Sequence, residues 1–175
     1  MSSLLVSVFC PDRTGLVAAI TGRLFELGAN LGDASFALLG TGSEFTAIAQ
    51  VPDHIGADAL EIDLANLPEL AGAAIRVSRF GLDADHGPAG RITHVVTVAG
   101  GDRPGLVVRL AETFAQFHAN IVRMDAHSEA GTLAGRYVTR FAVFIPPAAV
   151  TPCLNTVANT AGELGLACQW QASDA

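Results

Sequence analysis

The chain has 175 residues, of which 50% are hydrophobic and only 15% are charged, and its formal net charge at pH 7 is −7. This share of hydrophobic residues provides material for packed cores and excludes an intrinsically disordered chain. The ten basic residues, all arginines, are scattered along the sequence, without a basic stripe that could neutralise phosphates. Direct binding of DNA or RNA is therefore not expected.

The sequence also indicates a soluble, cytoplasmic protein without membrane contact. No segment approaches the roughly 18 consecutive apolar residues of a membrane helix. The apolar run at residues 4–9 has no basic region before it and is too short for the core of a signal peptide. The three cysteines, Cys10, Cys153 and Cys168, are odd in number and lack the spacing of metal ligands, so we expect free thiols in a reducing compartment.

The first half of the chain predicts alternating strands and helices. An apolar run at residues 4–10 predicts a buried strand, and apolar residues at helical spacing then predict a helix over residues 16–27. A hairpin follows, with strands at 31–39 and 45–51 around a Gly40-Thr41-Gly42 turn whose glycines can supply positive φ. A second helix and a final strand complete the half, at residues 57–67 and 75–80.

The second half repeats the first at an offset of 90 residues. PDRTGLV at 11–17 returns as GDRPGLV at 101–107, and ANL at 29–31 returns as ANI at 119–121, with no gap between the two matches. The apolar helix stripe returns at the same five offsets. The predicted strands of this half lie at 94–99, 121–128, 136–145 and 166–170, the hairpin turn at 129–135 and the second helix at 148–164.

The two first helices are expected to end differently. Gly28 stands where a helix would stop, because glycine readily adopts the left-handed conformation of a C-terminal cap. His118 occupies the matching position in the second half, so a different ending is predicted there.

Each half therefore has the order βαββαβ, which predicts an α+β protein made of two ferredoxin-like domains. Each domain would have an antiparallel four-stranded sheet with two helices on one face. The polar, breaker-rich segment at 83–91 predicts a linker between domains at 1–82 and 92–175. Edge strands and the uncovered sheet faces need partners, so we expect the halves to pack on each other or on a second copy, as a homodimer or larger assembly.

The D-R-x-G-L loop, entered from an apolar strand and followed by a helix and a strand that opens with Asn, resembles the ACT domain in both halves. ACT domains are small ligand-sensing modules, mostly for amino acids, attached to many metabolic enzymes and regulators. The tandem arrangement, with Leu39-Gly40 and Glu44-Phe45-Thr46 in the first hairpin, is similar to the glycine cleavage system transcriptional repressor family. That resemblance implies an amino-acid-sensing repressor that acts through a protein partner, a DNA-binding transcriptional activator, and not through DNA.

The repeated loop is the candidate ligand site. A strand that enters a helix through Asp-Arg-x-Gly presents unpaired N–H groups, which favour an anion such as the carboxylate of a free amino acid. The glycine permits close approach, the Asp can cap the helix or accept hydrogen bonds from an ammonium group, and the Asn can both donate and accept. The candidate ligand-binding residues are Asp12, Arg13, Thr14, Gly15, Leu16 and Asn30 in the first half and Asp102, Arg103, Gly105, Leu106 and Asn120 in the second.

A structural interpretation of the same residues needs no ligand. Asp-x-x-Gly before a helix is a common capping and turn arrangement. The loop arginines can pair with a carboxylate, contact a neighbouring subunit or face water. The second half has Arg123 where the first has Asp33, and a longer hairpin, so any ligand site is expected to be asymmetric and the second loop could be purely structural.

The expected function is regulatory, without catalysis, metal or cofactor. The sequence offers no paired carboxylates or Ser/His/Asp set, and no two of the five histidines have ligand spacing on a helix. The expected ligand is a small amino acid, glycine or similar. An alternative function is a detached feedback-regulatory subunit of an amino-acid biosynthetic enzyme, which would use the same site.

Overall fold

The computed structural model describes residues 1–129 and 135–173. The chain divides into two compact units, Met1–Ala84 and Asp85–Ala175. The domain limits expected from sequence, at 82 and 92, remain predictions. Most of the hairpin turn predicted at 129–135 lies outside the described residues.

The first unit contains one four-stranded antiparallel sheet and two helices. In chain order the elements are β1 (Ser2–Pro11), α1 (Leu16–Glu26), β2 (Asn30–Leu39), β3 (Gly42–Val51), α2 (Ala57–Ala65) and β4 (Ala74–Arg79). The sheet order is β2-β3-β1-β4, so the first strand lies in the interior of the sheet. A short 3-10 turn, Pro68–Leu70, precedes the last strand.

The second unit repeats this arrangement. Its elements are β5 (His94–Gly101), α3 (Leu106–Gln116), β6 (Asn120–Glu129), β7 (Arg136–Phe144), α4 (Val150–Glu163) and β8 (Ala167–Ala172), and its sheet order is β6-β7-β5-β8. The predicted α+β class, with two ferredoxin-like βαββαβ repeats, is confirmed. A short 3-10 turn stands before α4, and α4 leads into β8 without the turn that separates α2 from β4.

Each unit has its own core between one sheet face and its two helices. In β1 every second side chain is buried, from Leu4 to Cys10, because alternate residues of a strand face the same side. Helix α1 covers that face with Leu16, Ile20 and Leu24, which recur once per turn. The second core is built in the same way on β5 and β7, and all three cysteines are free. Burial raises the pKa of the Cys153 thiol to about 11.

Helices α1 and α3 end in the same way, contrary to the expectation from sequence. Gly28 has φ of 73° and His118 has φ of 54°, so both adopt the left-handed conformation. In each case the next residue, Ala29 or Ala119, donates its N–H to a carbonyl five residues back, at 2.9 and 3.0 Å. This is the Schellman arrangement, and it forms because the backbone hydrogen bonds of the helix end outweigh the strain of a left-handed histidine.

The contact between the two helices differs between the units. In the first, the Arg23 guanidinium holds both carboxylate oxygens of Asp63 at 2.6 Å and also donates to Glu26 at 2.9 Å. The same guanidinium keeps the pKa of Asp63 below its ordinary value, through hydrogen bonding first and through charge second. In the second unit Thr113 stands at the offset of Arg23 and lies 3.5 Å from Thr160, oxygen to oxygen.

Two glycine substitutions in the first unit should have opposite effects. Gly22 lies inside α1, where an added Cβ would meet nothing within 4 Å, so Gly22→Ala should stabilise the unit by about 1 kcal/mol. Gly28→Ala should destabilise it by about 1 kcal/mol, because the added Cβ finds ordinary room but the backbone stays left-handed. Urea unfolding measures both; equal effects of the two changes would contradict the cap geometry.

The Arg23–Asp63 pair should make stability depend on acid pH. Because the folded pKa of Asp63 is lowered, the pair contributes stability above the pKa of an unfolded Asp, about 4, and loses it as the pH falls through the folded value. Asp63→Asn should therefore lower the melting temperature at pH 7, and the difference from wild type should shrink as the pH is lowered below 4. A difference that is constant with pH would refute an ionic contribution.

Candidate functional site

The loop at residues 12–15 carries the chain from β1 into α1, and a left-handed glycine makes this connection possible. Gly15 is the residue before the helix and has φ of 93° and ψ of −2°. Gly105 has nearly the same conformation, with φ of 81° and ψ of 3°. Side chains disfavour this region, which explains why the glycine appears in both copies of the loop.

The N-terminus of α1 is open. It has no side-chain cap and no acidic residue in its first turn. Among the described residues, no hydrogen bond involves the N–H groups of Leu16, Val17 or Ala18, while Ala19 donates to the Gly15 carbonyl at 2.9 Å. Asp12 therefore does not cap the helix, which was one of its two expected roles. The free N–H groups and the helix dipole make this end attractive to an anion.

A surface depression of about 320 Å³ lies at this open helix end. Five of the predicted site residues line it together, and sequence reasoning missed Phe36 and Leu38 of the neighbouring strand. By register Phe36 lies beside Phe45 and Val8, hence on the helix face of the sheet, yet 43% of it is exposed. The lining residues are Asp12, Arg13, Thr14, Gly15, Leu16, Val17, Ala18, Phe36 and Leu38.

Asn30 does not belong to this depression. It pairs with Gln50, which pairs with Ser3, so Asn30 lies at the end of the sheet where β1 begins. The loop lies where β1 finishes, on the order of 20 Å away, since α1 returns the chain along the sheet. The two groups that an amino acid carries on one carbon cannot span this distance. The expectation that Gly15 and Asn30 of one unit hold the same ligand is therefore wrong.

Arg13 has a structural role that its three expected alternatives did not include. Its two terminal nitrogens donate to the backbone carbonyls of Glu69 and Ala71, each at 3.0 Å. These carbonyls belong to the turn between α2 and β4. Arg13 therefore borders the depression but uses its guanidinium to hold the loop against that turn.

The second copy of the loop is built differently around the same backbone. Leu106 donates its N–H to the Arg103 carbonyl at 3.1 Å, which removes one of the open donors. The Asn120 amide donates to the Ala89 carbonyl at 2.8 Å and so fixes the segment before β5. Asp102 and Gly105 occupy the same loop positions as Asp12 and Gly15 in the first unit. In strand register, Ala126 and Ser128 replace Phe36 and Leu38, so the second loop lacks the apolar wall of the first.

Comparison with known families identifies the first unit. Residues 2–78 match the family model of the ACT domain. The first unit is an ACT domain. The second unit lies outside that match but repeats the strand order and helix positions of the ACT domain. No curated protein gives a significant sequence match to the chain.

Two solved structures share the tandem ACT fold of the whole chain. An unknown protein from Galdieria sulphuraria has a TM-score of 0.75 at 20% sequence identity, covering 98% of this chain and 98% of its own. A "putative glycine cleavage system transcriptional repressor" has a TM-score of 0.66 at 15% identity, covering 98% of this chain and 97% of its own. At such identities the likeness establishes the fold.

The described residues show neither a metal-binding group nor a spanning helix. No three His, Cys, Asp or Glu side chains in residues 1–129 and 135–173 are placed to hold a metal ion. No helix in that part of the chain is long and apolar enough to cross a membrane.

Arg13 should stabilise the ACT domain, whereas its counterpart should not. Arg13→Gln removes two hydrogen bonds at an exposed site and should lower the free energy of unfolding by about 0.5–1 kcal/mol. Arg103→Gln is the matched control and should have little effect, because no hydrogen bond from the Arg103 guanidinium occurs among the described residues. Denaturant titrations that give the same loss for both variants would contradict this role.

Proposed function

We propose that this protein is an amino-acid-sensing regulator whose first ACT domain binds a small free amino acid in the depression beside Gly15. The open N-terminus of α1 is the observation that supports this function. A ligand carboxylate would accept hydrogen bonds from the N–H groups of Leu16 and Val17, and the helix dipole would favour its charge. Gly15 has no Cβ, and the space beside it is empty.

The rest of the depression complements an amino acid. Asp12 borders it, and its carboxylate has no hydrogen-bond partner among the described residues, so it is available to a ligand ammonium group. Phe36 and Leu38 supply an apolar wall for a short side chain. Asn30 can contribute only from a second copy of the domain, because it lies at the opposite end of its own sheet.

We assign the ligand to the first ACT domain and a structural role to the second loop. The Leu106 N–H and the Asn120 amide already have partners within the second unit. A ligand at the second loop would have to displace the Leu106 hydrogen bond, and it would meet Ala126 and Ser128 in place of the apolar wall. This difference agrees with the asymmetry that Arg123 and the longer hairpin predicted.

The regulatory output is proposed to be repression of transcription through a protein partner, a DNA-binding activator. A net charge of −7 disfavours contact with DNA itself, and the tandem fold is also that of a structure titled as a glycine cleavage repressor. The ligand can change the contact with the partner only if it binds more tightly to one of two states, the free protein or its complex with the partner. Co-purification with a biosynthetic enzyme would instead support the alternative, a detached feedback subunit.

Ligand binding is tested by calorimetric titration with glycine, alanine, serine and glycinamide. We expect at least one amino acid to bind and glycinamide to fail, because it lacks the carboxylate. Asp12→Asn should weaken binding about tenfold or more, as it weakens a hydrogen bond to a charged group.

Asp102→Asn in the second unit is the matched control and should leave the affinity unchanged. Gly15→Val is a less clear test, because a φ of 93° strains any side chain whether or not a ligand binds. Equal affinity for glycine and glycinamide, or equal losses in Asp12→Asn and Asp102→Asn, would refute the proposed site.

A further inference from the structure

The two sheets have four edge strands, and three of them are protected against further pairing. Strands β2 and β6 each contain a register shift, between Leu31 and Ala34 and between Ile121 and Arg123, which interrupts a regular edge. Strand β4 is closed by a side chain from α2, since the outward N–H of Val77 donates to the Glu61 carboxylate at 2.7 Å.

Strand β8 has no such protection. Ser173 donates its N–H to the Thr93 carbonyl at 2.8 Å, so by alternation the outward backbone groups of β8 are those of Cys168, Trp170 and Ala172. Trp170 has the register position of Val77, opposite Val96 where Val77 is opposite Val6. No hydrogen bond from the Trp170 N–H occurs in the described part of the chain.

The residue that closes β4 is absent from the second unit. Aligning the last buried pair of α2, Leu60 and Leu64, with the last buried pair of α4, Val157 and Ala161, places Ala158 at the position of Glu61. Alanine has no group that could accept the outward N–H. Strand β8 is also uncharged, with the sequence ACQWQA, whereas β4 carries two arginines. Charged edge residues are a common defence against pairing, and β8 lacks them.

The sequence of β8 is self-complementary in the antiparallel sense. Gln169 and Gln171 stand symmetrically about Trp170, with Cys168 and Ala172 outside them. A two-fold axis at Trp170 would place Gln169 opposite Gln171 of a second copy, as a non-hydrogen-bonded pair with closely spaced side chains. Each glutamine amide can both donate and accept a hydrogen bond. Gln169 of one copy and Gln171 of the other can therefore bond to each other on both sides of the axis.

Grooves on both sides of β8 leave room for the second strand. On the helix face, a groove of about 380 Å³ lies between Trp170 and the first half of α4, including Leu154. On the other face, a groove of about 550 Å³ runs along Gln169 and Gln171 beside Arg140. Trp170 is 44% exposed, so a large apolar surface stands beside the unpaired edge.

We propose that β8 is a self-association edge, at which two copies of the chain pair antiparallel about Trp170. The paired strands would form about six backbone hydrogen bonds, two at Trp170 and two at each pairing of Cys168 with Ala172. The two Trp170 side chains would lie together on the helix face. We propose a second copy of the chain as the partner because β8 is complementary to itself in this register. Since β8 is uncharged, pairing two copies brings no like charges together.

A charge-swap series measured by sedimentation equilibrium tests the pairing and its register. Gln169→Lys with Gln171→Lys places like charges opposite each other and should halve the assembled mass. Gln169→Lys with Gln171→Glu places opposite charges face to face and should restore the mass. The double lysine variant changes the net charge from −7 to −5, so general repulsion between copies decreases and cannot cause the loss.

Two controls complete the test. Ser78→Lys lies at the position of Gln171 on the closed strand β4, and it should leave the mass unchanged. Trp170 is the single tryptophan of the chain, so its emission should shift to longer wavelength when the wild type is diluted to monomers and should already be shifted in the double lysine variant.

Circular dichroism establishes that each variant is folded, and the Lys/Glu variant controls for loss of the glutamines. The proposal would be overturned if the wild-type chain stayed monomeric at about 100 μM, which is on the order of the dissociation constant of a weak dimer. An unchanged mass in the double lysine variant or a failure of the Lys/Glu variant to associate would also overturn it. These results are independent of the ligand site, because β8 lies in the second unit and the proposed site in the first.

Discussion

The left-handed glycine between the first strand and the first helix of each unit is the constraint on which the rest of the structure depends. Only four residues separate Pro11 from Leu16, and in that distance the chain must leave the sheet and start a helix across its face. Gly15 and Gly105 make this turn with φ of 93° and 81°. The same residue has no side chain to cap the helix, so the geometry that builds the fold also leaves the N–H groups of α1 open.

The sequence could predict the order of elements because each half carries two clear periodicities. Alternating buried residues in β1 and residues such as Leu16, Ile20 and Leu24, once per helical turn, come directly from the packing of one sheet face against helices. The repeat at an offset of 90 residues predicts the same fold for both halves, so each half supports the elements predicted for the other. The predicted limits of the strands and helices differ from those of the structure by a few residues, because end residues are held by hydrogen bonds that hydrophobic periodicity does not reveal.

The candidate site was only partly predictable. Five residues of the first loop lie together because they are consecutive, but Asn30 was added from its place in the repeat, and α1 carries it to the far end of the sheet. Phe36 and Leu38 were missed because their pattern is that of ordinary strand residues. The partner of Arg13 could not be predicted either, since its acceptors are backbone carbonyls, which every residue has.

The two copies share their backbone and apolar core but differ in their side-chain hydrogen bonds. The ion pair between Arg23 and Asp63 is replaced by two threonines, and the bonds from Arg13 to the following turn have no counterpart among the described residues of the second unit. Substitutions of this kind are tolerated because the buried stripes decide the fold, and surface contacts contribute much less to its stability. The same fold can therefore carry different surfaces in the two units.

The segment between the second helix and the last strand shows why one unit could not easily carry both the proposed ligand site and the proposed self-association edge. In the first unit this segment forms the turn that receives Arg13, and the preceding helix supplies Glu61 to close β4. The loop at residues 12–15 is therefore held firmly, but the outward edge of β4 is occupied by Glu61.

In the second unit α4 leads into β8 without that turn, and Ala158 leaves the edge of β8 open. The loop there then loses the support that Arg13 provides. A chain with two separate cores can keep the held loop in one unit and the open edge in the other, so that changes at either surface leave the other intact.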